Sequence, residues 1–264
     1  MNIFWQELKY YRRSTAIWIV VLCAVMLLFL SVYPSLSTQI DTFREVVSKY
    51  PKALLTAINF QFSIFYSVYG LFSYMLTFIW VAGAIMAMNY GVSVIGKETS
   101  GRTADFLLSK PVGRVRVLSE KFAATFVLIL ITNIFFTSLT FLGAKVISNT
   151  GFSEKSFLLL SASLFFIQLF FVTLGFLVGA MSRKIRSVIS VTLPTVFGFY
   201  IVGALAAIVD KPFAYYLTPF KYFDATYIFQ NNHYQYTYLI VLAVFVLVCL
   251  AGSYSIYLRK DITD

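Results

Sequence analysis

Long apolar stretches separated by short polar and basic segments dominate the pattern along this chain. A bilayer core of about 30 Å requires about 20 consecutive apolar residues per helix, and six stretches reach that length. They lie at about residues 16–33, 63–90, 119–144, 156–181, 187–209 and 237–258. The pattern therefore predicts an all-α integral membrane protein, with one transmembrane domain of six helices over residues 1–264.

Lysine and arginine are concentrated on one side of the predicted spans. That side holds 14 of the 21 basic residues: Lys9, Arg12, Arg13, Lys97, Arg102, Lys110, Arg114, Arg116, Lys121, Arg183, Lys184, Arg186, Arg259 and Lys260. Cytoplasmic loops carry an excess of Lys and Arg. The distribution therefore predicts that both termini, and the loop between the second and third spans, are cytoplasmic.

The composition excludes several classes of function. Hydrophobic residues make up 59% of the chain and charged residues 12%, which leaves no room for a large soluble catalytic domain. The net charge of +10 lies in clusters beside the spans, a pattern typical of membrane topology rather than of nucleic-acid binding. Cys23 and Cys249 lie within apolar runs, where cysteine acts as a small packing residue. With His233 as the single histidine, no metal site is predicted.

The N-terminal segment has an amphipathic pattern. Phe4, Leu8 and Tyr11 recur at helical spacing over residues 2–14, and basic residues fill the positions between them: Lys9, Arg12 and Arg13. The pattern predicts an interfacial helix lying on the cytoplasmic leaflet. The alternative is a plain basic flank that only orients the first span.

The last outer segment, residues 210–236, contains Pro212, Pro219 and many aromatic residues. One interpretation is a set of short or re-entrant helices packed against protein, because irregular backbone at membrane depth must be buried. The other is an aromatic belt at the membrane interface, where Tyr is enriched. The pattern does not decide between them.

Two glycines four residues apart, Gly175 and Gly179, lie in the predicted fourth span. Small residues at this spacing let two helices approach closely. They predict tight helix packing, although glycine is common in membrane helices and a dimer interface does not follow from the motif.

One stretch matches most of a phosphate-binding loop. Gly91 to Lys97 fits G-x-x-x-x-G-K, but Glu98 occupies the position that requires a magnesium-binding hydroxyl. The stretch also ends an apolar run instead of following a buried strand. No nucleotide site is predicted in this chain, and the chain is not predicted to be an enzyme.

The loop between the second and third spans contains a charged, amphipathic element at residues 95–112. Phe106, Leu107 and Leu108 form an apolar edge, with Lys97, Glu98, Arg102 and Asp105 around it. An exposed apolar cluster rimmed by charge indicates a partner surface. The alternative is a helix whose apolar side lies on the membrane.

The loop contains the run Gly96-Lys97-Glu98, followed by Gly101, Thr103, Phe106-Leu107-Leu108-Ser109, Pro111 and Arg114. This pattern resembles the permease subunits of ABC-2 type transporters. Many members of that family have Gly directly followed by Thr, whereas here Arg102 separates Gly101 from Thr103. The span count, the basic N-terminus and the aromatic last outer loop also fit.

The resemblance implies an ABC-2 (type V exporter-like) architecture in a bacterial plasma membrane. Two cytoplasmic ATPase subunits, which hold ATP and magnesium, would dock on the 95–112 element as a coupling helix. Residues 2–14 would be the connecting helix, and a second permease subunit, identical or related, would complete the membrane part. The chain itself would hold no cofactor, and the substrate would leave the cell.

The energy supply gives a second line of argument. Secondary transporters normally bind coupling ions through ionisable residues within their spans. Apart from Glu120 and Lys121 at the start of the third span, the polar groups inside these spans are amides and hydroxyls, such as Asn89, Asn133 and Gln168. Uphill transport would therefore draw energy from a separate protein, through Phe106, Leu107 and Leu108. The Phe-rich spans favour an amphipathic substrate. A channel or a membrane-anchored sensor without an ATPase is the alternative function.

Overall fold

All regular secondary structure in the described part of the chain is helical. A computed structural model describes residues 3–38, 45–47, 49–51, 54–55, 67–100, 113–147, 152–182, 187–209 and 211–259. The helices are α1 (Ile3–Ser31), α2 (Tyr33–Thr38), α3 (Val68–Ser100), α4 (Arg114–Ile147), α5 (Glu154–Met181), α6 (Ile189–Val209), α7 (Pro212–Tyr215), α8 (Ala225–Asn231) and α9 (Tyr236–Arg259), with a 3-10 turn at Pro219–Lys221.

Six of these helices are long and apolar enough to cross a membrane: α1, α3, α4, α5, α6 and α9. The predicted all-α class and the predicted six transmembrane helices are therefore confirmed. Both faces of these helices are rich in apolar side chains, as expected for elements that contact protein on one side and lipid on the other.

Three helices extend beyond the predicted spans at their charged ends. α1 has 29 residues, α3 has 33 and α4 has 34. At about 1.5 Å per residue, α4 is about 51 Å long, well beyond a hydrocarbon core of about 30 Å. The chain stays helical past the apolar run because polar residues such as Lys and Glu form helices well. Charged residues of different helices are thereby held next to one another near the ends of the apolar runs.

The centre of the bundle is the pair α3 and α5, whose apolar segments are the most deeply buried of the six. Phe72, Trp80, Phe157 and Phe171 are among the fully buried side chains of this centre. Cys23 on α1 and Cys249 on α9 are both free and buried, in agreement with a packing role.

Glycine brings the backbones of α3 and α5 into contact. A Cβ at Gly91 would lie 2.4 Å from the carbonyl oxygen of Val172, and one at Gly175 would lie 2.7 Å from that of Met88. A Cβ at Gly179 would lie 3.1 Å from the Cβ of Ile95. The Gly175 and Gly179 pair therefore packs against α3 within the same chain. Gly91, which the sequence shows within a phosphate-loop-like run, is the other half of this contact.

Replacing Gly91 with Ala is expected to destabilise the subunit by about 3 kcal/mol, the upper end of the range for overpacking. The new methyl group would meet a helix carbonyl, which cannot move aside as a flexible side chain can. Gly198→Ala in α6 is the matched control, since a Cβ there meets nothing within 4 Å. The thermal unfolding midpoint of the detergent-purified subunit measures both. Equal midpoints for the two variants would contradict the backbone contact.

Candidate functional site

Four helix termini meet at one end of the bundle, here called the charged end. α1 and α4 begin at this end, and α3 and α9 end there. Ionic or hydrogen-bonded contacts join these four termini. The opposite end, here called the aromatic end, carries α7, α8 and the 3-10 turn. The charged end contains the buried ionisable residues that the structure brings together from different helices.

A buried carboxylate lies at the centre of the charged end. Glu7 of α1 accepts hydrogen bonds from Nζ of Lys97 at the end of α3 and, at 3.2 Å, from Nζ of Lys121 in α4. The side chain of Glu7 is 6% exposed and that of Lys121 is 1% exposed, whereas Lys97 is 33% exposed. These three residues, the Glu7 triad, join three helices through one carboxylate.

Additional contacts satisfy the two lysines. Nζ of Lys121 also donates to the carbonyl oxygen of Val94 at 2.6 Å. Nζ of Lys97 lies 4.5 Å from the ring centroid of Tyr10 and 5.3 Å from that of Tyr11, within the range of cation–π attraction. Charges removed from water are tolerated only when they are paired and hydrogen-bonded. The Glu7 triad meets that condition.

The first two turns of α4 also bind the termini of α1 and α9. Oε2 of Glu120 accepts a hydrogen bond from the Phe4 backbone N–H at 3.3 Å, and Oε1 accepts one from Nε of Arg116 at 2.9 Å. Because the first N–H groups of a helix have no partner within it, Glu120 acts as a cap supplied by another helix. Arg114 caps the C-terminal end of α9, because its side chain donates to the carbonyl oxygen of Leu258 at 3.1 Å.

A second contact joins α1 to α3 about two turns further into the bundle. The hydroxyl groups of Thr15 and Tyr90 lie 2.9 Å apart, and the Tyr90 hydroxyl donates to Ser14 at 3.4 Å. The rings of Tyr11 and Tyr90 pack at a centroid distance of 5.0 Å. α1 is therefore held to α3 by ionic, polar and aromatic contacts in succession.

The residues predicted for ATPase coupling fall in three groups. Lys97 belongs to the Glu7 triad. Glu98 lies in the last turn of α3, which continues to Ser100, so the predicted 95–112 element begins as an extension of the second span. The remaining five lie outside the described residues: Arg102, Asp105, Phe106, Leu107 and Leu108.

The predicted N-terminal helix is part of α1. The structure differs from a separate interfacial helix over residues 2–14, because α1 continues unbroken into the first span. Tyr11 is buried in the core and Leu8 packs against it. The predicted amphipathic pattern is present, but these two apolar side chains pack against neighbouring helices. Lys9, Arg12 and Arg13 are exposed on the other side, and Phe4 is half-buried.

Sequence patterns do not identify three residues of the charged end. They place Lys121 among the basic flanks of the third span, although it lies within the range 119–144, and they give no role to Glu7 or Glu120. In the structure, the side chain of Lys121 in α4 is buried within the helix bundle. One signal was available for Glu7, which is buried together with Ile3, Tyr11 and Thr15. These positions recur every four residues and so lie on one helix face.

The aromatic end combines buried and exposed rings. Phe220 and Phe223 are buried, and the Phe223 ring stacks on that of Phe166 at 5.7 Å. The Tyr69 hydroxyl donates to the carbonyl oxygen of Ala225 at 2.8 Å. Phe213, like several neighbouring side chains, is exposed. The segment therefore forms short helices packed against α3 and α5, while its outer residues remain free to contact an interface.

Burial also shifts the pKa values of two side chains at the aromatic end. Burial lowers the pKa of Lys221 from its ordinary value, and the nearby Asp224 carboxylate partly opposes that change. Burial, with a smaller contribution from Tyr238, raises the pKa of Tyr222 to about 12. Asp224 also caps α8, accepting from the Tyr227 backbone N–H at 2.7 Å. These groups serve the packing of the segment.

Polar groups within the bundle bind one another. Nδ2 of Asn133 in α4 donates to Oε1 of Gln168 in α5 at 2.6 Å, and both side chains are buried. Asn89 accepts from Ser93 one turn away at 3.3 Å. Amide groups do not titrate in the physiological range. These contacts therefore provide polar packing and no route for protons.

The phosphate-loop-like run is helical. Gly91 to Lys97 lies within α3, where backbone N–H groups are used in helix hydrogen bonds. A phosphate-binding loop requires N–H groups that point at the ligand. The geometry of this run is that of a packed membrane helix.

Comparison with known families agrees with the architecture. The profile of a family described as ABC-2 family transporter protein matches residues 1–262. The match includes all six membrane-crossing helices and the charged end. No curated protein matches the chain.

Proposed function

Since the chain belongs to the ABC-2 transporter family and is thereby a permease component of an ABC transporter, we propose that it exports an amphipathic substrate. ATP would be hydrolysed by two separate cytoplasmic ATPase subunits, and this chain would contribute no nucleotide site. A second permease, identical or related, would complete the membrane domain.

The charged end is proposed to face the cytoplasm of a bacterial cell, with the protein in the plasma membrane. The excess of Lys and Arg on that side supports this orientation. An ATPase bound there would meet the segment between α3 and α4, which contains Phe106, Leu107 and Leu108. An apolar edge rimmed by charge is suited to docking in a groove of a soluble subunit.

The observation that carries the proposal is the connection between that segment and α1. α3 leads into the segment and α4 leads out of it, and the Glu7 triad joins both helices to α1 through Lys97 and Lys121. A displacement imposed by the ATPase on the segment would therefore be passed to α1 through the triad. It would be passed to α9 through Arg114.

An amphipathic substrate, such as a peptide antibiotic, a drug or a lipid-like molecule, is supported by the aromatic character of the bundle. Phe170 of α5 and Phe245 of α9 stack at a centroid distance of 3.8 Å. The aromatic end adds Phe220 and Phe223. Aromatic side chains offer large apolar contact surfaces and, in Tyr, a polar group as well.

The test is affinity purification of the subunit from its native membranes in mild detergent, followed by mass spectrometry of the proteins that accompany it. The tag belongs at the C-terminus, because the start of α1 is bound by Glu120. We expect a soluble ATPase with a phosphate-binding loop in stoichiometric amount. A second six-span chain would indicate a heterodimer, and its absence from an active complex a homodimer.

The control is a tagged, unrelated six-span protein purified in parallel from the same membranes. Recovery of the subunit without any ATPase, from a preparation in which other transporter complexes remain intact, would contradict the proposal. That result would favour the channel or sensor.

A further inference from the structure

The outward face of α1 changes from cationic to aliphatic along its length. Lys9, Arg12 and Arg13 are exposed near its start. Ile17, Val20 and other aliphatic residues continue on the exposed side of the helix. The opposite face, with Glu7 and Tyr11, is buried against the bundle.

These three cations differ from three others at the charged end, which are paired with carboxylates. Lys97 and Lys121 bind Glu7, and Arg116 binds Glu120. Among the side chains that the structure describes, no carboxylate lies at ion-pair distance from Lys9, Arg12 or Arg13. Their charge therefore remains available to an anion outside the described chain.

The depth of Arg12 and Arg13 matches that of lipid phosphates, and Lys9 lies about one turn further out. The apolar run begins at about Ala16, so Arg13, Arg12 and Lys9 lie roughly 4, 6 and 10 Å before it along the helix axis. The headgroup region on each side of the hydrocarbon is about 5–7 Å thick. Long Lys and Arg side chains direct their charged groups into that layer while their stems cover apolar surface.

We propose that Lys9, Arg12 and Arg13 form a binding site for the phosphate of an anionic phospholipid, with its acyl chains against Ile17 and Val20. Arginine pairs with phosphate oxygens through two parallel hydrogen bonds. An anionic headgroup is favoured over a zwitterionic one because it carries no cation that would be repelled by the three side chains.

The cationic part of the outward face of α1 leads directly into its aliphatic part, and this continuity identifies the ligand as a lipid. An acidic segment of a soluble partner would neutralise the cations but would not reach Ile17 and Val20, which lie on the first span. A phospholipid matches both surfaces at once. Bound there, it would hold α1 from its outer side while Glu7 holds it from its inner side.

The experiment is native mass spectrometry of the delipidated full-length subunit titrated with phosphatidylglycerol or phosphatidylcholine. Each juxtamembrane cation contributes roughly fivefold to anionic-lipid affinity, so we expect a preference for phosphatidylglycerol of about hundredfold. The K9Q/R12Q/R13Q variant should lose that preference. The matched control K49Q/K155Q/K211Q removes the same charge from exposed lysines elsewhere and should retain it.

Single variants keep the test decisive if the triple variant misfolds. R12Q and R13Q should each weaken phosphatidylglycerol binding about fivefold and leave phosphatidylcholine binding unchanged. Equal binding of both lipids by the wild type would overturn the proposal, as would an equal loss of preference in the control. Loss of ATPase association in the triple variant with lipid preference intact would assign the face to a protein partner and also overturn it.

Discussion

Replacing Glu7 with Gln is expected to destabilise the subunit by about 3–5 kcal/mol, the cost of breaking a buried ion pair by removing one partner. Gln keeps the size and one acceptor oxygen of Glu, so the loss isolates the charge. Lys97 is partly exposed and can turn toward water, whereas Lys121 is 1% exposed and cannot. The thermal unfolding midpoint in detergent should fall by about 10 °C.

Two further variants separate the charge from general damage. Combining Glu7→Gln with Lys121→Met removes both charges, and should recover most of the lost stability because no uncompensated charge then remains buried between α1 and α4. The matched control is Glu154→Gln, which breaks the Lys145–Glu154 pair, where the side chains are 49% and 57% exposed. That variant should cost at most about 1 kcal/mol. Similar losses in Glu7→Gln and Glu154→Gln would refute the buried triad.

Replacing both Phe106 and Leu107 with Asp is expected to abolish docking of the ATPase while leaving membrane insertion intact. Two apolar anchors that each contribute at least about 2 kcal/mol would be lost, which corresponds to about a thousandfold weaker association. Insertion should be unaffected because both residues lie between the predicted spans. Co-purification of the ATPase from detergent-solubilised membranes measures the effect.

Val146→Asp is the control for that double variant. Val146 is 84% exposed at the opposite terminus of α4, so a charge there tests whether any exposed apolar-to-acidic change disturbs the complex. We expect normal ATPase recovery. Undiminished co-purification with the Phe106 and Leu107 double variant would rule out the segment as the docking element.

The membrane helices were predictable because each is encoded by a continuous apolar run. The run at residues 156–181, for example, corresponds to α5 at Glu154–Met181. The Glu7 triad was not predictable, since Glu7 and Lys121 are 114 residues apart. Their pairing depends on how α1 and α4 pack. A charged residue beside a span looks like a topology signal whether or not it is later buried.

The glycines show the same limit in another form. The spacing of Gly175 and Gly179 predicts close packing of one helix, but spacing alone does not identify the partner. That partner includes Gly91, which in the sequence stands out only as part of a run similar to a nucleotide motif. At the aromatic end, composition indicated that rings must be buried, and only the tertiary structure distinguishes buried Phe223 from exposed Phe213.

The backbone contact between α3 and α5 has a mechanical consequence. Where Gly91 meets Gly175, no side chain separates the two helices, so no change of rotamer can let one slide or turn against the other. We therefore expect α3 and α5 to move as one rigid unit. A transport cycle would then change the bundle around this unit, by movement of α1, α4, α6 and α9.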